Sequence, residues 1–205
     1  MHQNNLTLEY YDQNAAEYVS STLPADMTDI RRRFMGWLPP GRLGGGVVLD
    51  FGCGSGRDTK VFLEAGHHVD AIDGSAELCA LASAYTGIKV RHMLFSEFDK
   101  QNWYDGIWAN ASLLHLPKKE LAEVAVKLEK ALIQGGILFA SFKYGDFEGM
   151  RDGRYYTDFT EKTLRAFWEK ETTMVIEDIW VTEDYMPEKR EVQWVNMLAR
   201  KARRG

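Results

Sequence analysis

The sequence of 205 residues contains little cysteine and no excess of positive charge. Its two cysteines, Cys53 and Cys79, stand in a glycine-rich stretch and in a helical pattern, which indicates no structural disulfide and favours the cytoplasm. The net charge of -5 argues against a nucleic-acid partner, because such proteins usually carry a basic face. A hydrophobic content of 45% is ordinary for a soluble protein, and the length predicts a single domain over residues 1–205.

Long apolar segments are missing as well. No stretch approaches the roughly 20 apolar residues that span a membrane, and the N-terminus lacks the pattern of a signal peptide. We therefore expect no membrane association, and the sequence suggests no metal site.

The most informative stretch runs from Val47 to Asp58, where a short apolar run ends in an acid and glycine then occupies every second position. A helical pattern follows directly. Such a strand, loop and helix present backbone N–H groups to a ligand. Arg57 stands where a dinucleotide fingerprint has its third glycine, and Asp50 adds negative charge where phosphates would lie. A ligand with a cationic amino group and no phosphate fits better, so we expect no binding of NAD.

The segment Leu49-Asp50-Phe51-Gly52-Cys53-Gly54-Ser55-Gly56 resembles motif I of the class I S-adenosylmethionine-dependent methyltransferases, D/E-x-G-x-G-x-G. A second apolar strand, Val69-Asp70-Ala71-Ile72-Asp73-Gly74-Ser75, ends in an acid 23 residues after Asp50. In this family the second acid holds the ribose hydroxyls of the cofactor, so the resemblance implies that role for Asp73. The alternative is a generic Rossmann-like turn in which Asp73 and Ser75 cap a helix.

The resemblance implies an α/β, Rossmann-like, doubly wound sheet of seven strands, mostly parallel with an antiparallel last strand. The alternation of apolar runs and helical patterns also predicts a parallel sheet with right-handed crossovers. Strands are expected at residues 47–51, 67–72, 89–93, 104–110, 137–142, 174–181 and 191–200, the last two around a turn at 184–189. Helices are expected at 59–65, after Ser75, at 121–132 with a closing segment at 134–136, and from Thr160.

Two further helical patterns, at residues 6–20 and 27–38, precede a glycine-rich connector at 41–46. The resemblance implies that residues 1–40 form a helical lid over the cofactor and that residues 47–205 form the Rossmann-like core. Tyr10 and Tyr18 would then line the cofactor or substrate pocket, where an aromatic face favours a sulfonium by about 0.5–2 kcal/mol. Alternatively, these tyrosines only pack the helix onto the sheet.

The resemblance places cofactor-binding residues in the lid and after four strands. Met93, Leu94 and Phe95 would enclose the adenine with apolar walls, although the Asp that the family often has here is missing. The complete predicted set is Tyr10, Tyr18, Asp50, Gly52, Cys53, Gly54, Gly56, Asp73, Gly74, Ser75, Met93, Leu94, Phe95, Asn110 and Ala111. The cofactor is S-adenosylmethionine and the product S-adenosylhomocysteine.

Candidate catalytic residues follow the fourth and fifth strands. His115 is the candidate general base if the acceptor arrives protonated, although a lone histidine is often structural. Arg151, Arg154 and Tyr156 lie in a long loop at 143–157, which in this fold overhangs the acceptor site. Two arginines favour an anionic or strongly polar acceptor, and solvated surface charge is the alternative.

Together these features predict methyl transfer to a small molecule by a monomer or homodimer. Asn110-Ala111-Ser112-Leu113 lacks the Asn/Asp-Pro-Pro-aromatic motif of amino-directed nucleic-acid methyltransferases. The basic tail at 200–204 is weak evidence for contact with phosphates. The two motifs are most similar to small bacterial methyltransferases of the tellurite-resistance and thiopurine-methyltransferase type, which implies a soft chalcogen or thiol acceptor. The alternatives are an RNA- or protein-directed methyltransferase and a cofactor-binding protein without catalysis.

Overall fold

A seven-stranded sheet forms the centre of the molecule, in the order β3-β2-β1-β4-β5-β9-β8. The computed structural model describes residues 3–41, 45–185 and 191–202. The predictions that involve residues 42–44, 186–189 and 203–204 lie outside this part of the chain. The strands are β1 (Val47–Phe51), β2 (His68–Asp73), β3 (Arg91–His92), β4 (Tyr104–Ala109), β5 (Leu132–Lys143), β6 (Glu148–Arg151), β7 (Arg154–Thr157), β8 (Val175–Glu183) and β9 (Gln193–Arg200). The helices are α1 (Gln3–Gln13), α2 (Ala15–Thr22), α3 (Thr28–Trp37), α4 (Arg57–Glu64), α5 (Ala76–Thr86), α6 (Lys118–Ala131) and α7 (Glu161–Glu171).

The strand directions confirm the predicted fold class. Strands β1 to β5 pair in parallel, and β9 pairs antiparallel with both β5 and β8. Strand order reverses between β1 and β4, and the carboxyl ends of those two strands open a crevice there. In open α/β sheets this is where ligands bind.

Aromatic and aliphatic side chains fill the space on both faces of the sheet. On one face Phe34 of α3 and Phe62 of α4 pack against Trp108 of β4, which stacks on Phe139 with 4.2 Å between ring centroids. On the other face α6 and α7 bury an apolar stripe, which includes Leu128. These two layers hold the crevice edge of the sheet in place.

The predicted helix over residues 6–20 is wrong in one respect, because α1 and α2 are separate helices. Asn14 interrupts them with φ of -113° and ψ of 16°. Its side-chain amide donates to the carbonyl of Tyr10 at 2.7 Å, and its backbone N–H donates to the same carbonyl at 3.0 Å.

The prediction that residues 134–136 close α6 is wrong. Helix α6 ends at Ala131 and β5 begins at once, so these residues lie inside the strand. Gly135 has a φ of +77°, and the pairing of β4 with β5 shifts register nearby. Glycine with positive φ occurs both after helices and in β-bulges, and the register shift shows that it belongs to a bulge here.

The predicted loop over residues 143–157 contains the hairpin of β6 and β7 instead. Asp152 and Gly153 connect the strands, both with positive φ. Asp-Gly is a typical two-residue hairpin turn, so the sequence carried a signal for this element. The predicted third strand is also shorter than expected, because β3 contains only Arg91 and His92.

Within the part of the chain that the structure describes, no helix combines the length and apolar content that a membrane span requires. The same described residues contain no group of three or more His, Cys, Asp or Glu side chains that could hold a metal ion.

Candidate functional site

A cleft with two lobes runs along the crevice edge of the sheet. The glycine-loop lobe has a volume of about 400 Å³ and is lined by Gly54, Asp73 and Leu94 among others. The hairpin lobe has a volume of about 470 Å³ and lies against Arg154 and Tyr156 of β7. The two lobes adjoin, because both are lined by Tyr11, Tyr18, Gly52, Ala111 and His115.

Asp73, at the end of β2, holds the glycine loop through hydrogen bonds to the backbone. Its Oδ2 accepts a hydrogen bond from the Gly54 N–H at 2.8 Å, and its Oδ1 accepts one from the Ser75 N–H at 2.9 Å. Burial raises the pKa of this carboxyl. Ser75 is the N-cap of α5, since its hydroxyl accepts a hydrogen bond from the Leu78 N–H. A carboxylate offers about four acceptor sites, so Asp73 can also accept from a ligand hydroxyl.

The glycine loop brings its backbone close to the lid. Gly54 has a φ of +54°, and a Cβ there would lie 3.0 Å from the ring of Tyr18. Gly56 has another reason to be glycine, since its Cβ would lie 2.8 Å from Cγ2 of Thr86 on α5. Gly54 therefore borders the ligand space, and Gly56 serves the packing of α4 on α5.

Asp50 is a buried acid whose hydrogen-bonding partner is neutral. It is 2% exposed and accepts a hydrogen bond from Thr59 Oγ1 at 2.6 Å. Burial, followed by the nearby charge of Asp58, raises the pKa of Asp50 to about 8. A cationic amino group beside it would favour the ionised carboxylate, so this position suits a ligand that carries an amino acid end.

Asp58, in the first turn of α4, is the centre of a buried ionic cluster. Its carboxylate accepts hydrogen bonds from Arg31 at 2.8 Å, from Arg57 at 2.9 Å and from the Trp108 indole at 3.0 Å. Burial opposes ionisation of Asp58, but the two guanidinium groups outweigh it and hold its pKa below the ordinary value. Arg57 also donates to the carbonyl of Thr22 at 3.1 Å, which connects the lid to the glycine loop.

His115 lies where the two lobes meet, with both ring nitrogens in hydrogen bonds. Nδ1 is 2.7 Å from the carbonyl of Tyr155, so it carries the proton and donates. Nε2 is then the acceptor for the Tyr11 hydroxyl at 2.8 Å. Burial, with the charges of Arg154 and Lys143, lowers the pKa of His115 to about 4. The imidazole is neutral at pH 7 and is a weak base there; its role as general base stays a prediction.

His115 is expected to make the protein lose stability as the pH falls. Its pKa is about 4 in the folded protein and near 6.5 when unfolded, so the unfolded chain binds more protons between these values. Its contribution is fully present above pH 6.5 and declines by up to about 3 kcal/mol on acidification to pH 4. Urea unfolding from pH 4 to 7 should show His115→Gln gaining stability relative to wild type as the pH falls. A constant difference between the two proteins would contradict the assigned burial of the imidazole.

The hairpin contributes only part of the predicted catalytic set to the cleft. Arg154 and Tyr156 line the hairpin lobe. Arg151 lies outside the lining and forms an ion pair with Asp158 at 2.6 Å. Lys143, which the sequence analysis did not select, lines the lobe instead.

Most of the predicted cofactor-binding residues are brought together. Those that line the cleft are Tyr18, Asp50, Gly52, Cys53, Gly54, Asp73, Gly74, Leu94, Phe95, Asn110 and Ala111. Those that do not are Tyr10, Gly56, Ser75 and Met93. Tyr11 rather than Tyr10 faces the cleft, because successive helical residues point about 100° apart. Tyr10 instead lies under the Arg154 guanidinium, 4.4 Å from its ring centroid.

Other residues of the lining were not predicted. They are Tyr11, Arg57, Asp58, Ser141, Lys143, Tyr185, Trp194 and Asn196 among others. Arg57 and Asp58 follow the glycine loop directly, so their position was a usable signal. Trp194 and Asn196 come from β9, and only the tertiary fold brings that strand to the crevice.

Comparisons of sequence and of structure both find methyltransferases. Residues 48–136 match the family model for a methyltransferase domain. An uncharacterized methyltransferase of Bacillus cytotoxicus is 34% identical over 106 residues, which cover 50% of this chain and 50% of that protein. The chain thus spans about half the length of this curated relative.

Solved structures match over nearly the whole chain. The 1,6-didemethyltoxoflavin-N1-methyltransferase of Burkholderia thailandensis, with 1,6-didemethyltoxoflavin and S-adenosylhomocysteine bound, has a TM-score of 0.75 and 26% identity. That match covers 95% of this chain and 87% of the other. The [4+2]-cyclase SpnF has a TM-score of 0.69 and 16% identity over 96% of this chain and 95% of its own, which shows a likeness of fold alone.

Proposed function

Because this chain has the methyltransferase domain and the fold of the class I S-adenosylmethionine-dependent methyltransferases, we propose that it transfers a methyl group from S-adenosylmethionine to a small molecule. The domain and the fold confirm the family, the fold class and the cofactor that residues 49–56 and Asp73 predicted. The acceptor is a separate question, since the curated relative is matched over half its length.

The single observation that carries the proposal is that two chemically different lobes adjoin along shared lining residues. At one end Asp73 and the glycine loop offer acceptors and backbone donors for a ribose and an amino acid. Leu94 and Phe95 would provide apolar contact for the adenine. The buried Asp50, which lines the hairpin lobe, would take the cationic amino group there, and the rest of that lobe would hold the acceptor.

When bound, S-adenosylmethionine supplies a methyl group on a positively charged sulfur; as the acceptor's lone pair bonds to the methyl carbon, the C–S electron pair stays on sulfur in a neutral thioether. The residues at the junction of the lobes provide alignment, which can contribute several kcal/mol. The rings of Tyr11 and Tyr18 stand edge to face with 5.2 Å between centroids and line both lobes. Aromatic faces there stabilise positive charge by about 0.5–2 kcal/mol.

A small acceptor suits the dimensions and the charge of the protein. The hairpin lobe, at about 470 Å³, has the size of a typical small-molecule site. The Burkholderia neighbour binds a small molecule, 1,6-didemethyltoxoflavin. A net charge of -5 supports an acceptor other than nucleic acid. We further propose the cytoplasm as its location, in keeping with the free thiols of Cys53 and Cys79; monomer or homodimer stays a prediction.

The test is release of S-adenosylhomocysteine from S-adenosylmethionine with pooled metabolites, thiols, RNA and peptides as acceptors. We expect calorimetry to show binding of S-adenosylmethionine and of S-adenosylhomocysteine but not of NAD. We also expect turnover with a pool of small molecules. Tighter binding of NAD than of S-adenosylmethionine would overturn the cofactor. Turnover with RNA or peptide alone would favour the macromolecular alternative, and binding without turnover would favour a non-catalytic protein.

The lid should become more ordered when the cofactor site is filled. Helices α1 and α2 contact the core through Tyr18 on the glycine loop and through Asp12, which accepts a hydrogen bond from the Ser75 hydroxyl at 2.5 Å. Lids are drawn from elements of low local stability. Hydrogen exchange over residues 6–20 is expected to slow on addition of S-adenosylhomocysteine, while the amides of β4 serve as the internal control. Unchanged exchange in the lid would contradict this role.

A further inference from the structure

Three cations surround the buried ring of Tyr156 in the hairpin lobe. Lys143 Nζ lies 4.6 Å from the ring centroid, and the guanidinium carbons of Arg151 and Arg154 lie at 5.0 and 5.4 Å. The aromatic face compensates part of this charge. Three like charges in one partly buried place still require negative partners.

One of the three cations forms an ion pair with an acidic side chain of the protein. Arg151 forms its ion pair with Asp158. Neither Lys143 nor Arg154 forms an ion pair with a carboxylate in residues 3–41, 45–185 and 191–202. The Nε of Arg154 is buried and has no hydrogen-bond partner within the same ranges.

The remaining positive charge faces the acceptor end of the cleft. Lys143 and Arg154 both line the hairpin lobe, and Arg151 does not. Burial, together with the charges of Arg151 and Arg154, lowers the pKa of Lys143, and the charges of Asp158 and Asp184 offset only part of this effect. The rings of Tyr156, Tyr185 and Trp194 line the same lobe, as do the carboxylates of Asp152 and Asp184.

We propose that the methyl acceptor is a small organic anion with a ring, seated on the Tyr156 side of the hairpin lobe with its negative charge between Lys143 and Arg154. The inference rests on the proposed function and adds the chemical class of the acceptor. Charge-assisted hydrogen bonds to these two groups are about twice as strong as neutral ones. The aromatic walls favour a flat ring.

An anionic acceptor also suits the weak base at the junction of the lobes. A lone pair of the anionic acceptor forms the bond to the methyl carbon while the C–S bond breaks. The sulfonium and the anion thus give two neutral products. No proton has to leave the acceptor. His115, with a pKa of about 4 and its Nε2 bonded to Tyr11, would remove a proton poorly at pH 7.

The test compares benzoate with benzamide, which share size and ring but differ in charge. Binding of each to the complex of the protein with S-adenosylhomocysteine is measured by calorimetry. We expect benzoate to bind at least tenfold more tightly than benzamide. Equal affinities, or tighter binding of benzamide, would overturn the proposal.

Two charge-removing variants locate the anion. Lys143→Met and Arg154→Met should each weaken benzoate binding about tenfold or more, with affinity for S-adenosylhomocysteine kept within threefold. Lys118→Met is the matched control, because Lys118 pairs with Glu148 at 3.1 Å and lies outside the lining. The same loss in all three variants would place the anion elsewhere and overturn the assignment. Failure of the proposed function looks different, since the wild-type protein would then not bind S-adenosylhomocysteine at all.

Discussion

Asp58→Ala is expected to lower the free energy of unfolding by about 3–5 kcal/mol, the usual cost of breaking a buried ion pair by removing one partner. Asp58 is 6% exposed, and the side chains of Arg31 and Arg57 are 10% and 15% exposed. The substitution leaves two buried guanidinium groups without their counter-ion. It also removes the acceptor of the Trp108 indole N–H.

Thermal unfolding measures this effect directly. For a chain of this size each kcal/mol corresponds to roughly 2–4 °C, so Tm should fall by about 6–20 °C. Asp29→Ala is the matched control, because Asp29 pairs with Arg32 on the surface, where the two side chains are 92% and 73% exposed. Its Tm should change by no more than about 2 °C. Equal shifts in both variants would show that the buried cluster adds nothing.

Asp73→Ala should weaken cofactor binding by about 2–4 kcal/mol, or roughly 30- to 1000-fold in dissociation constant. The carboxylate would accept hydrogen bonds from the ribose hydroxyls, and it already holds the Gly54 N–H at 2.8 Å. Both the ligand contacts and the position of the glycine loop therefore depend on it.

Calorimetry with S-adenosylhomocysteine and a melting curve separate binding from folding. Asp70→Ala is the control on the same strand, since Asp70 accepts a hydrogen bond from the Tyr104 hydroxyl and does not line the cleft. Its affinity for S-adenosylhomocysteine should stay within twofold of wild type. If Asp73→Ala melts earlier and binds as well as wild type, Asp73 is only a structural anchor.

The features that were predictable from sequence are those encoded locally. The glycine loop between Asp50 and Gly56 combines a strand end, positive φ and a helix start within a few residues, so its neighbours along the chain define it. Asp73 was selected because it ends a second apolar run 23 residues after Asp50, as in the family that the two motifs resemble, and β2 does pair in parallel with β1. The parallel sheet was predictable because apolar runs alternate with helical patterns along the chain.

The parts that were not predictable depend on distant contacts. Arg31 and Asp58 are 27 residues apart, and Tyr11 and His115 are 104 apart, so no local pattern joins them. Choosing Tyr11 over Tyr10 would have required the rotation of α1 about its axis, which only packing determines. Lys143 was predicted to be the first residue of the loop at 143–157, and only the folded structure shows that it ends β5 and lines the hairpin lobe.

The place of β9 in the sheet has a consequence for synthesis of the chain. This strand lies between β5 and β8, and its residues 195–199 are buried. In the described part of the chain β8 pairs with no other strand, so both β5 and β8 expose an unpaired edge until residues 193–200 emerge from the ribosome. Unpaired apolar edges are sites of aggregation, and long-range pairing is slow. Translation that stalls before residue 193 should therefore yield a chaperone-dependent nascent chain, although the cofactor half of the cleft has already been synthesised.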